Sequence, residues 1–193
     1  MAWVIAGLGN PGERYATTRH NLGRMVVAEL AARAGARLRK VRFMPVDAAE
    51  IRLGDQVVWL ATSTLYMNEA GTAYAGLARK HKVPSEQVVA VHDEIEIPAG
   101  ELRLKLGGGS AGHNGLRSLT SALRTPDYHR VRIGVGRPPG RQDPADFVLQ
   151  PIGRRDEADI AIWTGRAADA VTCLVTEGLA AAQDRFNKTQ PPA

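Results

Sequence analysis

A histidine, an aspartate and three asparagines lie where the chain leaves regular structure: His20, Asp93, Asn10, Asn68 and Asn114. A neutral imidazole can take a proton from water near neutral pH. A carboxylate behind it would fix its tautomer and stabilise the imidazolium. Asparagine amides can donate hydrogen bonds to an oxyanion. Together these groups predict hydrolysis of an activated carbonyl by water, without a covalent enzyme intermediate.

Other hydrolytic chemistries lack their usual residue patterns in this sequence. No Cys/His/Asp spacing resembles a zinc site. No Gly-x-Ser-x-Gly turn supplies a nucleophilic serine. We therefore expect no metal and no other cofactor.

Two short apolar runs predict the strands that position these groups. Residues 3–6 predict a buried strand that ends at a glycine-rich loop, 7–12, which carries Asn10. Residues 88–91 predict a strand covered on both faces, which ends just before Asp93. Because ligands bind at the carboxyl ends of strands in α/β folds, we expect the functional site there, with the separate loops of Asp93 and Asn114 converging.

Periodicity and turn signals predict the remaining elements. They are a helix from Leu22 to about Gly35, a hairpin of strands 49–53 and 56–61, a helix that follows Asn68 and runs to about Lys82, a strand over 101–106, a helix to about Leu123, a strand over 129–135, a Gly/Pro loop over 136–144, and one or two helices over 156–186. The sequence has no internal repeats and no linker that would divide it.

The loop at 7–12 also fits Gly-x-Gly-x-x-Gly, the fingerprint of dinucleotide-binding folds. That site requires a helix that starts inside the loop and an acidic residue about 20 positions further on. Here Pro11 and the polar run that follows delay the helical pattern to about Leu22, and no acidic residue closes a nearby strand. The dinucleotide reading is therefore the weaker alternative.

Size and composition are those of a globular domain. The chain has 193 residues, 44% hydrophobic and 23% charged, which suits a single domain with a substantial core. No apolar stretch is long enough to span a membrane, and the amino terminus has no export signal. The single cysteine, Cys173, excludes an internal disulfide framework. We expect a cytoplasmic protein.

Positive charge is concentrated in one segment. Residues 102–141 contain eight basic residues and one acidic residue, a net charge of +7, whereas the whole chain carries +5. Clustered positive charge favours a phosphate-rich partner, although a solvated basic surface would have the same composition.

The loops belong to longer motifs that resemble those of the bacterial peptidyl-tRNA hydrolase family. The matching stretches are GLGNPG at 7–12, TRHN at 18–21, YMN at 66–68, HDE at 92–94, LKLGGG at 104–109, GHNGL at 112–116 and RVRIGVGRP at 130–138. Their order and spacing extend the resemblance from the first strand to the closing helices.

The resemblance implies an α/β fold: a single compact domain over 1–188, with a twisted mixed, mostly parallel β-sheet surrounded by α-helices, and a flexible tail at 189–193. It also implies a monomeric esterase that splits the peptide from the 3′ end of tRNA and contacts the acceptor stem. It assigns His20 as the base, Asp93 as its orienting partner and Asn10 as a third catalytic group. The implied substrate-binding residues are Tyr15, Met67, Asn68, Gly112 and Asn114, with Lys105 and Arg132 as the grip on the tRNA 5′ phosphate.

The sequence departs from the family pattern at two places. Residues 62–65 read Thr-Ser-Thr-Leu where Lys-Pro-x-Thr is usual, and Ser110 replaces a common histidine. These changes affect the expected local loop contacts and leave the histidine, the aspartate and the asparagines in place. His92 and His113, beside the site residues, are predicted to be structural. The competing hypothesis is a protein that binds structured RNA without hydrolysing anything.

Overall fold

A computed structural model describes residues 1–153 and 156–187. The predicted tail at 189–193 and the carboxyl end of the predicted domain lie outside these residues. The described part forms one seven-stranded sheet with the order β2-β3-β4-β1-β5-β7-β6. The strands are β1 (Ala2–Gly7), β2 (Arg39–Lys40), β3 (Val46–Leu53), β4 (Gln56–Ser63), β5 (Val88–Glu94), β6 (Leu102–Leu106) and β7 (His129–Gly134).

The centre of the sheet is parallel and its two sides are antiparallel. Strands β4, β1, β5 and β7 are parallel neighbours, β3 pairs antiparallel with β4, and β6 pairs antiparallel with β7. The mixed sheet of the predicted fold class is therefore confirmed. The carboxyl ends of four neighbouring strands meet at one edge, where the predicted site loops follow them.

Helices cover both faces of this sheet. In the described residues they are α1 (Leu22–Arg33), α2 (Gly71–Lys80), α3 (Asn114–Leu123), α4 (Pro144–Leu149), α5 (Glu157–Glu177) and α6 (Leu179–Phe186). Ile5 of β1 packs in a core with α1, α5 and α6, while Val4 and Ala6 pack in a second core with α2 and α3. Burial on both faces explains the continuous apolar runs of β1 and β5.

Two glycines let α1 lie close against the sheet. A Cβ on Gly7 would lie 2.6 Å from the carbonyl oxygen of Gly23, and a Cβ on Gly23 would overlap the carbonyl oxygen of Val91 in β5. Gly7 and Gly23 thus serve the close packing of α1 on the sheet. This approach brings the residues just before α1 next to the end of β5. No α-helix starts inside the loop, since α1 begins at Leu22, as the sequence predicted.

Most predicted elements are present, and the differences have local causes. Helix α4 begins inside the segment that was interpreted as a loop ending at Pro144; six residues are too few to display a periodic pattern. The helix predicted to follow Asn68 begins at Gly71. The strand predicted from residue 49 begins at Val46. Among the described residues, no helix is both long and apolar enough to cross a membrane.

Candidate active site

His20 and Asp93 are in direct contact although they lie 73 positions apart in the sequence. His20 lies in a short 3-10 helix, Arg19–Asn21, directly before α1, and Asp93 is the penultimate residue of β5. Nδ1 of His20 lies 3.0 Å from each carboxylate oxygen of Asp93. A carboxylate only accepts, so Nδ1 carries the proton and Nε2 of the neutral ring keeps its lone pair. This is the tautomer that a general base requires.

The surroundings shift the pKa values of both residues. Burial acts to lower the pKa of His20, but attraction to Asp93 and their hydrogen bond outweigh it, and the pKa lies above the ordinary 6.5. Burial acts to raise the pKa of Asp93, whereas His20 and His113 hold it well below its usual range. Asp93 therefore stays ionised and makes His20 a stronger base.

His113 makes a second hydrogen bond to the same carboxylate. Its Nε2 lies 3.1 Å from Oδ1 of Asp93. Its Nδ1 accepts the backbone N–H groups of Gly115 and Leu116, so His113 is the side-chain cap of α3. Since Nδ1 accepts, Nε2 must donate, and the neutral ring has one usable tautomer. The predicted structural role of His113 accounts for the cap, but sequence reasoning missed its contact with Asp93.

Asn10 is held in a fixed orientation at the end of β1. Its Oδ1 accepts the backbone N–H of Met67 at 2.8 Å. Its backbone N–H and C=O bond to the side chain of Asn21, which adjoins His20. Because Oδ1 is used in this way, the Nδ2 group of Asn10 is the end that can donate to a substrate. The same contact joins Asn10 to the backbone of Met67.

A cleft of about 380 Å³ opens beside the His20–Asp93 pair. Gly112 and Asn114 line its α3 side. Helix α4 forms the opposite wall with Pro144, Ala145, Val148 and Leu149. Its Phe147 lies beneath the guanidinium of Arg19, 4.4 Å from ring centroid to Cζ. Asp143, which caps α4, and Pro144 at its first turn are the sequence signals from which this wall could have been found.

The other predicted peptide-contacting residues surround this centre at the surface. Asn68 and Asn114 are exposed and line one cavity together. Oδ1 of Asn114 accepts a hydrogen bond from Arg117, which orients its amide. Tyr15 packs edge-to-face against Tyr66 with ring centroids 6.3 Å apart. Tyr15 therefore packs against Tyr66, the residue that precedes Met67 in the sequence.

Lys105 and Arg132 lie near each other on β6 and β7. Burial lowers the pKa of Lys105, and the nearby charges of Arg132 and Arg130 lower it further. Arg132 is also paired with Glu94, with Nη2 3.2 Å from Oε2. A phosphate bound by Arg132 would thus compete with a carboxylate already present.

Residues 102–141, the segment with a net charge of +7, offer less free positive charge than their composition suggests. Arg130, which alternation places beside Arg132, is 1% exposed and donates to the carbonyl groups of Gly108 and Gly109. These hydrogen bonds from the buried guanidinium of Arg130 stabilise the glycine loop at 107–109. Acidic residues just outside the segment neutralise three of its arginines, in the pairs Arg103–Glu101, Arg132–Glu94 and Arg137–Glu96.

His20, Asp93 and His113 together have the composition of a metal site. Their ligand atoms lie within 4.8 Å of one another. Hydrogen bonds already join these atoms through Asp93, however, and Nδ1 of His113 caps α3. A cation would have to displace both protons, so the arrangement fits proton transfer better than metal binding.

Comparison with known proteins identifies the family. The family profile described as peptidyl-tRNA hydrolase matches residues 4–193. The chain is 47% identical to the peptidyl-tRNA hydrolase of Cutibacterium acnes, covering 96% of this chain and 98% of the relative. It is 49% identical to that of Kineococcus radiotolerans, covering 96% and 97%. The crystal structure of peptidyl-tRNA hydrolase from Acinetobacter baumannii superposes with a TM-score of 0.90 at 31% identity, covering 99% of this chain and 97% of that one. The chain belongs to the peptidyl-tRNA hydrolase family.

Proposed function

We propose that this chain hydrolyses the ester between a peptide and the 3′ end of tRNA, using a water molecule that His20 activates. Family membership supports the reaction. The observation that carries the mechanism is the contact of His20 Nδ1 with both oxygens of Asp93, 3.0 Å each, beside an open cleft. This contact leaves the basic Nε2 of His20 available to a water molecule in the cleft.

The proposed reaction proceeds in two steps. The water oxygen attacks the ester carbonyl carbon while Nε2 of His20 takes its proton, and Asp93 balances the charge of the imidazolium. The tetrahedral intermediate then collapses, the bond to the 3′ oxygen of the tRNA breaks, and His20 returns the proton to that oxygen. The products are a tRNA hydroxyl and a free peptide carboxylic acid, which loses its proton to solvent and becomes a carboxylate.

The asparagines hold the reacting group in this scheme. Asn10 and Asn114 have their Oδ1 atoms engaged by Met67 and Arg117, which directs their Nδ2 donors to other partners. Such donors stabilise a developing oxyanion or hold the peptide carbonyl groups. Asn68 and Gly112 complete the peptide contacts, and Met67 and Tyr15 support them by packing.

The tRNA side of the substrate is assigned to the strands β6 and β7. Lys105 lies close enough to Arg132 for the charge of Arg132 to help lower the Lys105 pKa, and the two would bind the 5′ phosphate of the acceptor stem. We further propose that the protein acts as a monomer in the cytoplasm.

A release assay tests the function directly. N-acetyl-aminoacyl-tRNA is incubated with the protein, and the released N-acetyl amino acid is measured in parallel with tRNA binding. We expect catalytic release by the wild-type chain. Binding without release would favour the RNA-binding hypothesis and contradict the proposed function.

A further inference from the structure

A groove between α2 and α3 begins at two of the proposed substrate-binding asparagines. Its first part has a volume of about 540 Å³ and is lined by Asn68 and Asn114 where it starts. Its second part has a volume of about 760 Å³. The two parts share Thr72, Ser121 and Ala122, so they form one continuous depression. The proposed reaction uses only its beginning.

Close packing of the two helices forms the floor of this groove. The backbone N–H of Gly71 donates to Oγ of Ser118 at 2.9 Å. A Cβ at Gly71 would overlap the backbone of Ser118, so the helices touch there without side chains between them. Asn114, Ser118 and Ser121 repeat at helical spacing, which places them on one face of α3. The groove therefore follows the length of α3.

The groove is lined by residues other than those of the proposed phosphate grip. Asn114 borders both the catalytic cleft and the groove. From Asn114 the groove continues between α2 and α3, whereas Lys105 and Arg132 lie on β6 and β7 and do not line it. A tRNA phosphate bound by Lys105 and Arg132 would therefore leave the groove free for the acyl group of a substrate whose ester lies at His20.

We infer that the α2–α3 groove binds the peptide of the substrate beyond the residue attached to the tRNA. This inference rests on the proposed function. Helix α3 has ten residues and is about 15 Å long. At roughly 3.3 Å per extended residue, the groove accommodates about five peptide residues.

The lining indicates which peptides fit. Its walls consist largely of short Ser, Thr and Ala side chains, which form no deep side-chain pockets. Such a surface contacts the peptide backbone and tolerates varied sequences. Three arginines at its edge, Arg79, Arg117 and Arg124, stand against one acidic residue, Glu69. Neutral and acidic peptides therefore suit the groove better than basic ones.

The test compares two substrates on three proteins. One substrate is N-acetyl-aminoacyl-tRNA, and the other is the same tRNA with an uncharged peptide of about six residues, long enough to fill the groove. The proteins are the wild type, Ser121→Trp and Ala180→Trp. Ser121 is exposed inside the groove, roughly two turns from Asn114. Ala180 is an exposed residue of α6, on the other face of the sheet, and controls for a new surface tryptophan.

We expect the wild type to have a KM about threefold to tenfold lower for the long substrate, a modest gain in affinity. Ser121→Trp should lose this advantage while its kinetics on the short substrate stay within about twofold of wild type. Ala180→Trp should behave as wild type on both.

Each other outcome contradicts the inference in a recognisable way. Equal losses on both substrates would mean that the groove holds tRNA or shapes the catalytic centre. No peptide-length advantage in the wild type, or an advantage that Ser121→Trp retains, would mean that the peptide lies elsewhere. Failure of the wild type to hydrolyse even the short substrate would instead refute the proposed function itself.

Discussion

His20 and His113 share Oδ1 of Asp93, which lies 3.0 Å from Nδ1 of His20 and 3.1 Å from Nε2 of His113; Oδ2 of Asp93 also lies 3.0 Å from Nδ1 of His20. The two imidazoles are also adjacent, with ring centroids 4.8 Å apart. Because both rings donate to Asp93, the carboxylate stays ionised in a site where it is 3% exposed. The ring of His20 lies at the cleft, and the ring of His113 caps the start of α3.

The raised pKa of His20 predicts the pH dependence of the reaction. Protonated His20 cannot accept a proton from water, so kcat/KM should fall as the pH drops through the folded-state pKa, which lies above 6.5. Asp93→Asn removes the charge that raises this pKa and can stabilise the wrong tautomer. We expect a loss in kcat of at least about 10²-fold and an acid limb at lower pH. The pH–rate profiles of the wild type and Asp93→Asn check this. If the acid limb does not move in the variant, Asp93 does not raise the pKa of the catalytic base.

His113 should act as a positioning residue for Asp93. His113→Asn keeps a residue that caps helices well but removes the Nε2 donor to Asp93. We expect kcat to fall by at least about tenfold, since a hydrogen bond to a charged group contributes about 1.5–3 kcal/mol. With one donor fewer, Asp93 should attract the imidazolium more strongly and move the acid limb to higher pH, opposite to Asp93→Asn.

Two measurements distinguish this role of His113 from a purely structural one. His113→Ala should lose the cap as well, at a further cost of about 1 kcal/mol in the free energy of unfolding. His113→Asn should unfold near the wild-type temperature. If His113→Asn loses stability but keeps the wild-type pH profile, its contact with Asp93 has no catalytic consequence.

Much of the candidate site follows from sequence because strand ends can be recognised. The apolar runs at 3–6 and 88–91 place Asn10 and Asp93 at one edge of the sheet, and the family motifs pair Asp93 with His20. The contact with His113 could not be predicted, because it depends on the angle at which α3 enters after the glycine loop. Helix α4 was missed because its six residues are too few to display a periodic pattern, although Asp143 and Pro144 mark its start in the sequence.

The charge pattern was the least predictable part of the surface. Alternation along β7 correctly places Arg130 and Arg132 on the same side. It does not reveal that the 107–109 loop folds over Arg130 and accepts its hydrogen bonds. Nor does a window over 102–141 include Glu94, which the parallel pairing of β5 and β7 brings beside Arg132.

The phosphate grip predicts a separation of binding from chemistry. Arg132→Ala and Lys105→Ala should raise KM for full-length tRNA substrates and leave kcat nearly unchanged, because ground state and transition state share this contact. Each lost phosphate contact should flatten the log–log salt dependence of affinity by just under about one unit. An N-blocked amino acid esterified to a short nucleotide fragment lacks the 5′ phosphate and should be insensitive. Equal losses on the fragment would place these residues in the catalytic or structural core.

Glu94→Gln is the matched control for this grip. It removes the carboxylate that pairs with Arg132 while it keeps the size of the side chain. We expect a lower KM and a steeper salt dependence for full-length tRNA, with no gain on the fragment. A higher KM would mean that Glu94 holds Arg132 in its binding position.

Metal removal should leave the reaction unchanged. The atoms that could bind a cation are occupied by the two hydrogen bonds to Asp93, and the proposed chemistry needs the proton on Nδ1 of His20. Turnover after treatment with EDTA should therefore equal that of untreated protein, and excess Zn²⁺ should inhibit by displacing these protons. Loss of activity with EDTA and recovery with a divalent ion would contradict the metal-free mechanism.

The most direct test of the account is single-turnover hydrolysis of N-acetyl-aminoacyl-tRNA by His20→Asn, with His20→Ala alongside. An asparagine at this position can still donate to Asp93 but has no basic nitrogen. With saturating enzyme and tRNA affinity measured separately, we predict a rate at least about 10²-fold below wild type at unchanged affinity. A folded variant that hydrolyses the ester at close to the wild-type rate would show that His20 is not the base.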